Sequence, residues 1–436
     1  MTQNNRRWTL MVYMAGDNGK VFEQLQGGRL MAPMEEQGYQ DIAEMEAVGS
    51  NDEVAVVVQF DTLSDREHTY RIYIRPQSEE RLVENIPEQN TGDPRSLRDF
   101  MVWGMENYPA EHYAVILWNH GTGWKEDDIY EFARSRSLQI RASADEVRSV
   151  RSNRLASAFF LSSVVEILGI ENDDQRAIAF DDSSLDFLDN AKLQQAFREA
   201  EEQTGQKVSL IGMDACLMSM IEVAYQLRAN AEYLVGSQEV EPLSGWPYTL
   251  ILQALTKESG MTPEVLAKLI VQEYGRYYEE QSQLTRGGMH QVTQSAANLN
   301  GVSQLAEVVG RLAVILRQLR EEDDFFTEMA ISRAQRQVVR FKDTDFVDLY
   351  HCLRVLRDEY HGKNSELKVA LEEVINLMAL ETESKPIVAN VTLGDRLSSA
   401  EGLSIYLPAQ GYSQFYERSD FASCGWGELI KVHNEK

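Results

Sequence analysis

Two short segments place reactive side chains where a buried strand gives way to a turn. In Trp118-Asn119-His120-Gly121-Thr122-Gly123-Trp124, a histidine follows the apolar run Tyr113 to Trp118 and enters a glycine-rich turn. In Gly212-Met213-Asp214-Ala215-Cys216-Leu217-Met218, a cysteine follows the run Lys207 to Met213. Parallel sheets expose functional groups at the carboxyl ends of their strands. Taken singly, His120 is as readily a structural histidine and Cys216 as readily a core thiol. Together they offer the two halves of a nucleophile and base pair. A helix predicted over Leu217 to Ala231 would set Cys216 at its N-terminus, where unpaired N–H groups and the dipole favour a thiolate. Asp214, two residues earlier on extended chain, would point the same way as Cys216. A carboxylate there opposes ionisation of the thiol, so its presence makes sense if a cationic substrate group binds beside it.

The elements that must hold these groups read as an α/β protein. Trp8 to Ala15 and Glu53 to Phe60 are continuous apolar strands, Tyr70 to Ile74 is an edge or hairpin strand, and Ala177 to Phe180 and Tyr233 to Val235 add more. Helical spacing covers Ser96 to Tyr108 and Asp189 to Glu202, and this alternation predicts a mostly parallel sheet covered on both faces. After about residue 250 the rhythm becomes mainly helical, opening with Thr262-Pro263 as N-cap and first turn. Helical periods follow over Val302 to Leu319 and Asp345 to Tyr360, with late strands at Ile387 to Leu393 and Gly402 to Leu407. The expected organisation is a core over 1–250 and an α+β region over 251–436 packed on it.

The 436 residues carry 42 Lys and Arg against 69 Asp and Glu, a net charge of −27, which argues against binding nucleic acid or an anionic membrane. No run approaches the roughly 18 apolar residues of a membrane span. Trp8 to Gly16 resembles a signal peptide only superficially, so a cytoplasmic location is the expectation, with export left open. Cys216, Cys352 and Cys424 are odd in number and lack C-x-x-C spacing, which excludes a full disulfide framework and a thiolate zinc site. Gly16 to Val21 lacks the first glycine and the Ser or Thr of a phosphate loop. Asp343, Asp345 and Asp348 lack the glycine and final Glu of an EF-hand, as does Asp181-Asp182. The stretch 125–176 is too long for a plain connection and reads as an insertion. Within 131–155, six Arg face three acidic residues in an otherwise acidic chain.

The first strand, Trp118 to Trp124, Ile178 to Asp182, Met213 to Met218, Ser237-Gln238-Glu239-Val240-Glu241-Pro242 with Gly245-Trp246-Pro247-Tyr248, and Gly402 to Pro408 together resemble the clostripain-like cysteine peptidases of the caspase and gingipain group. The resemblance implies a caspase-like αβα sandwich with Cys216 as nucleophile and His120 as base and acid. It implies an oxyanion hole from the N–H groups of Gly121 and Cys216. It assigns Asp214 to a first pocket selecting Arg or Lys, bordered by Ser237. Protein or peptide substrates bearing Arg or Lys follow, as does maturation by self-cleavage within 125–176, with Arg134 or Arg136 as the bond. No cofactor is required for the chemistry. Calcium, needed by some relatives, is allowed by the many carboxylates without a located metal site. The competing reading is a non-catalytic scaffold that binds cationic peptides.

Overall fold

The computed structural model describes residues 6–17, 34–62, 64–119, 178–181, 186–284, 290–379, 384–409, 411–413, 416–417 and 419–435. His120, Gly121, Arg134, Arg136 and the whole 125–176 insertion lie outside these residues. Nine strands form one sheet. Its centre is parallel and is built from β1 (Arg6–Gly16), β2 (Val54–Thr62), β5 (Ala110–Trp118), β8 (Leu210–Asp214) and β9 (Tyr233–Gly236). At one edge β3 (His68–Tyr73) and β4 (Leu82–Pro87) add as antiparallel strands. At the other, β10 (Val292–Asn298) and β12 (Ile387–Leu393) do the same, giving the order β12-β10-β9-β8-β5-β1-β2-β3-β4.

The sheet is buried on both faces because the central strands carry apolar residues on both sides over most of their length, so the period of two serves two cores at once. Along β1, Met11, Tyr13 and Ala15 enter one core, while Trp8, Leu10, Val12 and Met14 enter the other. Helices α1 (Met34–Glu46), α5 (Tyr248–Lys257) and α6 (Pro263–Leu284) contribute to the second core. The first core takes α2 (Pro94–Asn107), α3 (Asn190–Thr204), the short α4 (Ile221–Gln226) and α7 (Leu299–Glu321). The result is the αβα sandwich expected. Asp93 caps α2, accepting from Arg95 N–H with Pro94 at the first position, and Asp189 caps α3.

Several expectations need correction. The boundary at 250 falls inside one continuous sheet, since β10 pairs directly onto β9 and β12 onto β10. The strand at Ala177 to Phe180 becomes β6 (Ile178–Asp181), which pairs antiparallel with β7 (Asp186–Leu188) outside the main sheet. The helix predicted over Asp345 to Tyr360 is preceded by a strand, β11 (Phe346–Asp348), which pairs with β13 (Ser404–Tyr406), and begins only at Leu349. The chain also does contain one helix with a membrane-length apolar window. Leu299–Glu321 has 23 residues and a mean hydropathy of 1.3 in its most apolar stretch, 67% of which is buried inside the protein.

The helix predicted over Leu217 to Ala231 shrinks to Ile221–Gln226. Residues 217–219 cannot coil because they are paired elsewhere. Leu217 N–H donates to Glu239 O at 3.2 Å and Ser219 N–H to Ser237 O at 2.8 Å, while Met220 bridges to Ser404. Leu217 itself adopts a left-handed φ of 60°, unusual for a branched apolar residue. Cys216 therefore sits in a turn at the end of β8, five residues before the helix.

Candidate active site

The register of β5 and β8 pairs Trp118 with Asp214, so the two motif-bearing strands end side by side. Asn119, the next residue, donates its N–H to Asp214 O at 3.4 Å and its side-chain amide to Ala15 O at 2.7 Å. Three adjacent strand ends are thus tied together at the carboxyl edge of the sheet. A narrow cleft of about 20 Å³ opens there, lined among others by Trp118, Asn119, Asp214, Cys216, Glu241 and Gly245.

Cys216 is 7% exposed and lines this cleft, and the three cysteines are all free thiols. Glu241 N–H donates to Cys216 Sγ at 3.4 Å. With the helix N-terminus displaced, this backbone N–H stands at the sulfur where the helix dipole was expected to favour the thiolate.

Asp214 is buried and accepts from Tyr248 OH at 2.8 Å and Trp246 N–H at 3.4 Å. Beside it lies the buried carboxyl of Glu241, which also accepts from Gln294 Nε2 at 3.2 Å. The two buried carboxyls interact electrostatically, and Glu241 Oε2 is buried without a hydrogen-bond partner among the described residues. Burial pushes both above the ordinary carboxylate range, and for Glu241 the neighbouring Asp214 charge raises it further. Burial and then Asp214 also push Asp41 up to about 9, although Trp118 Nε1 and Gln37 Nε2 donate to it at 2.7 and 2.8 Å. Among the described residues no Lys or Arg pairs with Asp214 or Glu241. The cleft floor is a negative site from which water is largely excluded, a place that would favour a buried cation.

Gly245 makes room for it. Its φ is +51°, and a Cβ there would stand 2.8 Å from Asp214 Oδ1.

The structure brings Cys216 and Asp214 into one cleft but seats Ser237 behind it. Ser237 is fully buried, donates to Glu239 O at 2.9 Å and lies 3.0 Å from Thr293 Oγ1, so it braces the turn after β9. Glu241, Asp41 and Gly245 were not assigned from sequence. Glu241 and Gly245 stand within or beside the segment after Tyr233 to Val235, but nothing in their spacing shows that it folds back over residue 214. Asp348 is a helix cap, accepting from His351 N–H at 2.7 Å. Among the described residues, one group of three carboxylates could hold a metal, and it is Asp17, Asp61 and Glu88 rather than any acid of the cleft.

A model of the Clostripain family matches residues 12–138 and 167–431. Clostripain of Hathewaya histolytica is 30% identical over 183 residues, 41% of this chain and 27% of that protein, so the match spans about a quarter of the relative's length. A secreted C11 cysteine protease from Bacteroides thetaiotaomicron, solved with an irreversible peptide inhibitor, superposes with a TM-score of 0.62 at 18% identity, covering 96% of this chain and 99% of its own. An inactive zymogen C11 protease from Parabacteroides distasonis gives 0.60 at 17% identity, covering 98% and 100%. At such identities the two structures show a shared fold.

Proposed function

The chain belongs to the clostripain family of cysteine proteases, and from that premise we propose that it cleaves peptide bonds after Arg or Lys through Cys216 and His120 and matures by cutting itself. The observation that carries the specificity is the buried pair Asp214 and Glu241 in the same cleft as the thiol, without a cationic partner among the described residues. A guanidinium or ammonium group entering the cleft supplies the missing charge.

The dyad is supported by the strand register. Two residues beyond the pair Trp118 and Asp214 lie, in chain order, His120 and Cys216. His120 takes the thiol proton as Sγ attacks the carbonyl carbon, and returns it to the leaving amine. Water then hydrolyses the thioester, with the N–H groups of Gly121 and Cys216 receiving the oxyanion at each step. Maturation within 125–176, at Arg134 or Arg136, is supported by the arginine content of that segment and by a relative solved as an inactive zymogen.

The test is hydrolysis of short peptides ending in Arg, Lys, Asp or Leu before a reporter group, with and without calcium. Turnover confined to Arg and Lys and abolished by Cys216→Ala is expected. Preference for Asp or Leu would overturn the pocket assignment. Tight binding of cationic peptides without turnover would favour the non-catalytic scaffold.

A further inference from the structure

At the carboxyl ends of β1 and β2, away from any assigned role, three acidic side chains from separate parts of the chain converge. Asp17 follows the last residue of β1, Asp61 lies in β2 opposite Ala15, and Glu88 follows β4. Each offers a carboxylate oxygen, and these oxygens lie within 4.8 Å of one another. The convergence is held in place by uncharged groups. Thr69 Oγ1 donates to Asp61 Oδ1 at 3.2 Å and accepts from Gln89 N–H at 3.0 Å, which ties the loop after β4 to β2. Tyr13 OH donates to Thr91 O at 3.2 Å, which ties that loop to β1.

A cluster of acids alone says little. Asp17 says more: it is 1% exposed, and both of its carboxylate oxygens are buried without a hydrogen-bond partner. Burying such a group is unfavourable unless it is paired, hydrogen-bonded or bound to a metal. We propose that Asp17, Asp61 and Glu88 bind a divalent cation, and that the cation is calcium. All three donors are hard oxygens, with no nitrogen or sulfur to select zinc or copper. Calcium takes oxygens at about 2.3–2.6 Å, so ligands on opposite sides of it stand up to about 5 Å apart, in keeping with the spacing here. Magnesium demands a smaller octahedron and keeps more of its water.

Bound calcium would fasten the end of β1 to β2 and to the loop after β4. The same end of β1 supplies Ala15 O, which accepts the side-chain amide of Asn119 at 2.7 Å. The ion would therefore stiffen the strand end that holds the residue preceding His120, without touching the cleft.

The experiment is calorimetric titration of the full chain, stripped of divalent ions, with calcium chloride and with magnesium chloride, alongside melting curves. One saturable calcium per chain is expected, at least tenfold tighter than magnesium, together with a higher melting temperature. Asp17→Asn removes the buried charge at nearly constant shape. It should abolish the calcium heat and the calcium-induced rise, yet melt in metal-free buffer no lower than wild type. Glu88→Gln should weaken calcium at least tenfold. Absence of saturable binding in wild type, wild-type affinity in either variant, or an Asp17→Asn chain that melts well below wild type without metal would each overturn the assignment.

Discussion

Replacing Asp214 with Asn removes a charge while leaving the shape of the cleft floor almost unchanged. Tyr248 OH at 2.8 Å and Trp246 N–H at 3.4 Å donate to the same carboxylate oxygen, Oδ2. The amide oxygen of Asn can accept both, so the structural loss is at most about one ordinary hydrogen bond, roughly 1 kcal/mol. Against this, burial holds Asp214 above its ordinary range, so neutralising it relieves an unfavourable ionisation. The melting temperature should hold or rise. Substrate recognition should behave oppositely. Removing one partner of a desolvated charge pair costs about 2–5 kcal/mol, and at about 1.36 kcal/mol per decade this is roughly a 30- to 5,000-fold fall in kcat/KM for substrates with Arg or Lys. The assay compares kcat/KM for Arg, Lys and Leu substrates with the rate at which iodoacetamide, an uncharged reagent, alkylates Cys216. Alkylation should change only a few-fold. Equal losses in alkylation and cleavage would mean that Asp214 serves the thiol rather than the substrate. A loss below threefold on Arg and Lys would refute the pocket altogether.

Gly245→Ala should lower kcat/KM on the same substrates at least tenfold, because its Cβ would stand 2.8 Å from Asp214 Oδ1 on backbone with a φ of +51°; an unchanged Arg-to-Leu preference would count against this role. Purified wild type should run as two fragments on a denaturing gel and one species in solution, because β5 and β8, on either side of the cut, are neighbours in the sheet, whereas Cys216→Ala should stay whole; an active, uncut wild type would reject self-cleavage as a requirement. Glu222 is fully buried and burial pushes it up to about 7. The folded state thus holds its proton more tightly than the unfolded state. The associated stability is fully present below about pH 4.5 and is lost as pH rises through 7, a fall of about 3 kcal/mol at about 1.36 per pH unit. Glu222→Gln keeps Oε1 for Tyr406 N–H and Tyr416 OH, both at 2.9 Å, and should flatten that fall in denaturant titrations run across the range; an unchanged slope would refute it.

What was legible in the sequence follows from where its signals are local. Continuous apolar runs such as Val54 to Phe60 can hardly be anything but strands buried on both faces, and the alternation with amphipathic helices dictates the layers. Cys216 and His120 stood out as candidates because both motifs follow apolar runs of strand length, and the structure ends β8 two residues before Cys216 and β5 two residues before His120. Non-local pairing hid the rest. Residues 217–220 have helical spacing, but hydrogen bonds to 237 and 239 and the bridge to Ser404 hold them out of the helix. The sheet's extension past residue 250 was hidden for the same reason, since β10 reaches β9, and β12 reaches β10, across long intervening helices. Glu241 lies 27 positions after Asp214, so its approach depends on how the chain turns after β9.

The displaced helix changes how the thiol must be activated. A helix N-terminus would supply a field indifferent to the substrate. In its place, the N–H of Glu241 donates to Sγ, and the carboxyl of the same residue lies beside Asp214 on the cleft floor. On the proposed function, one residue meets the nucleophile through its backbone and borders the specificity pocket through its side chain. A cation seated against Asp214 and Glu241 would then also hold the backbone that donates to the sulfur. Substrates lacking the cation would leave that segment unanchored. Discrimination between Arg and Leu should accordingly appear in kcat as well as in KM, since the side chain that fills the pocket also orders the donor at the reacting atom.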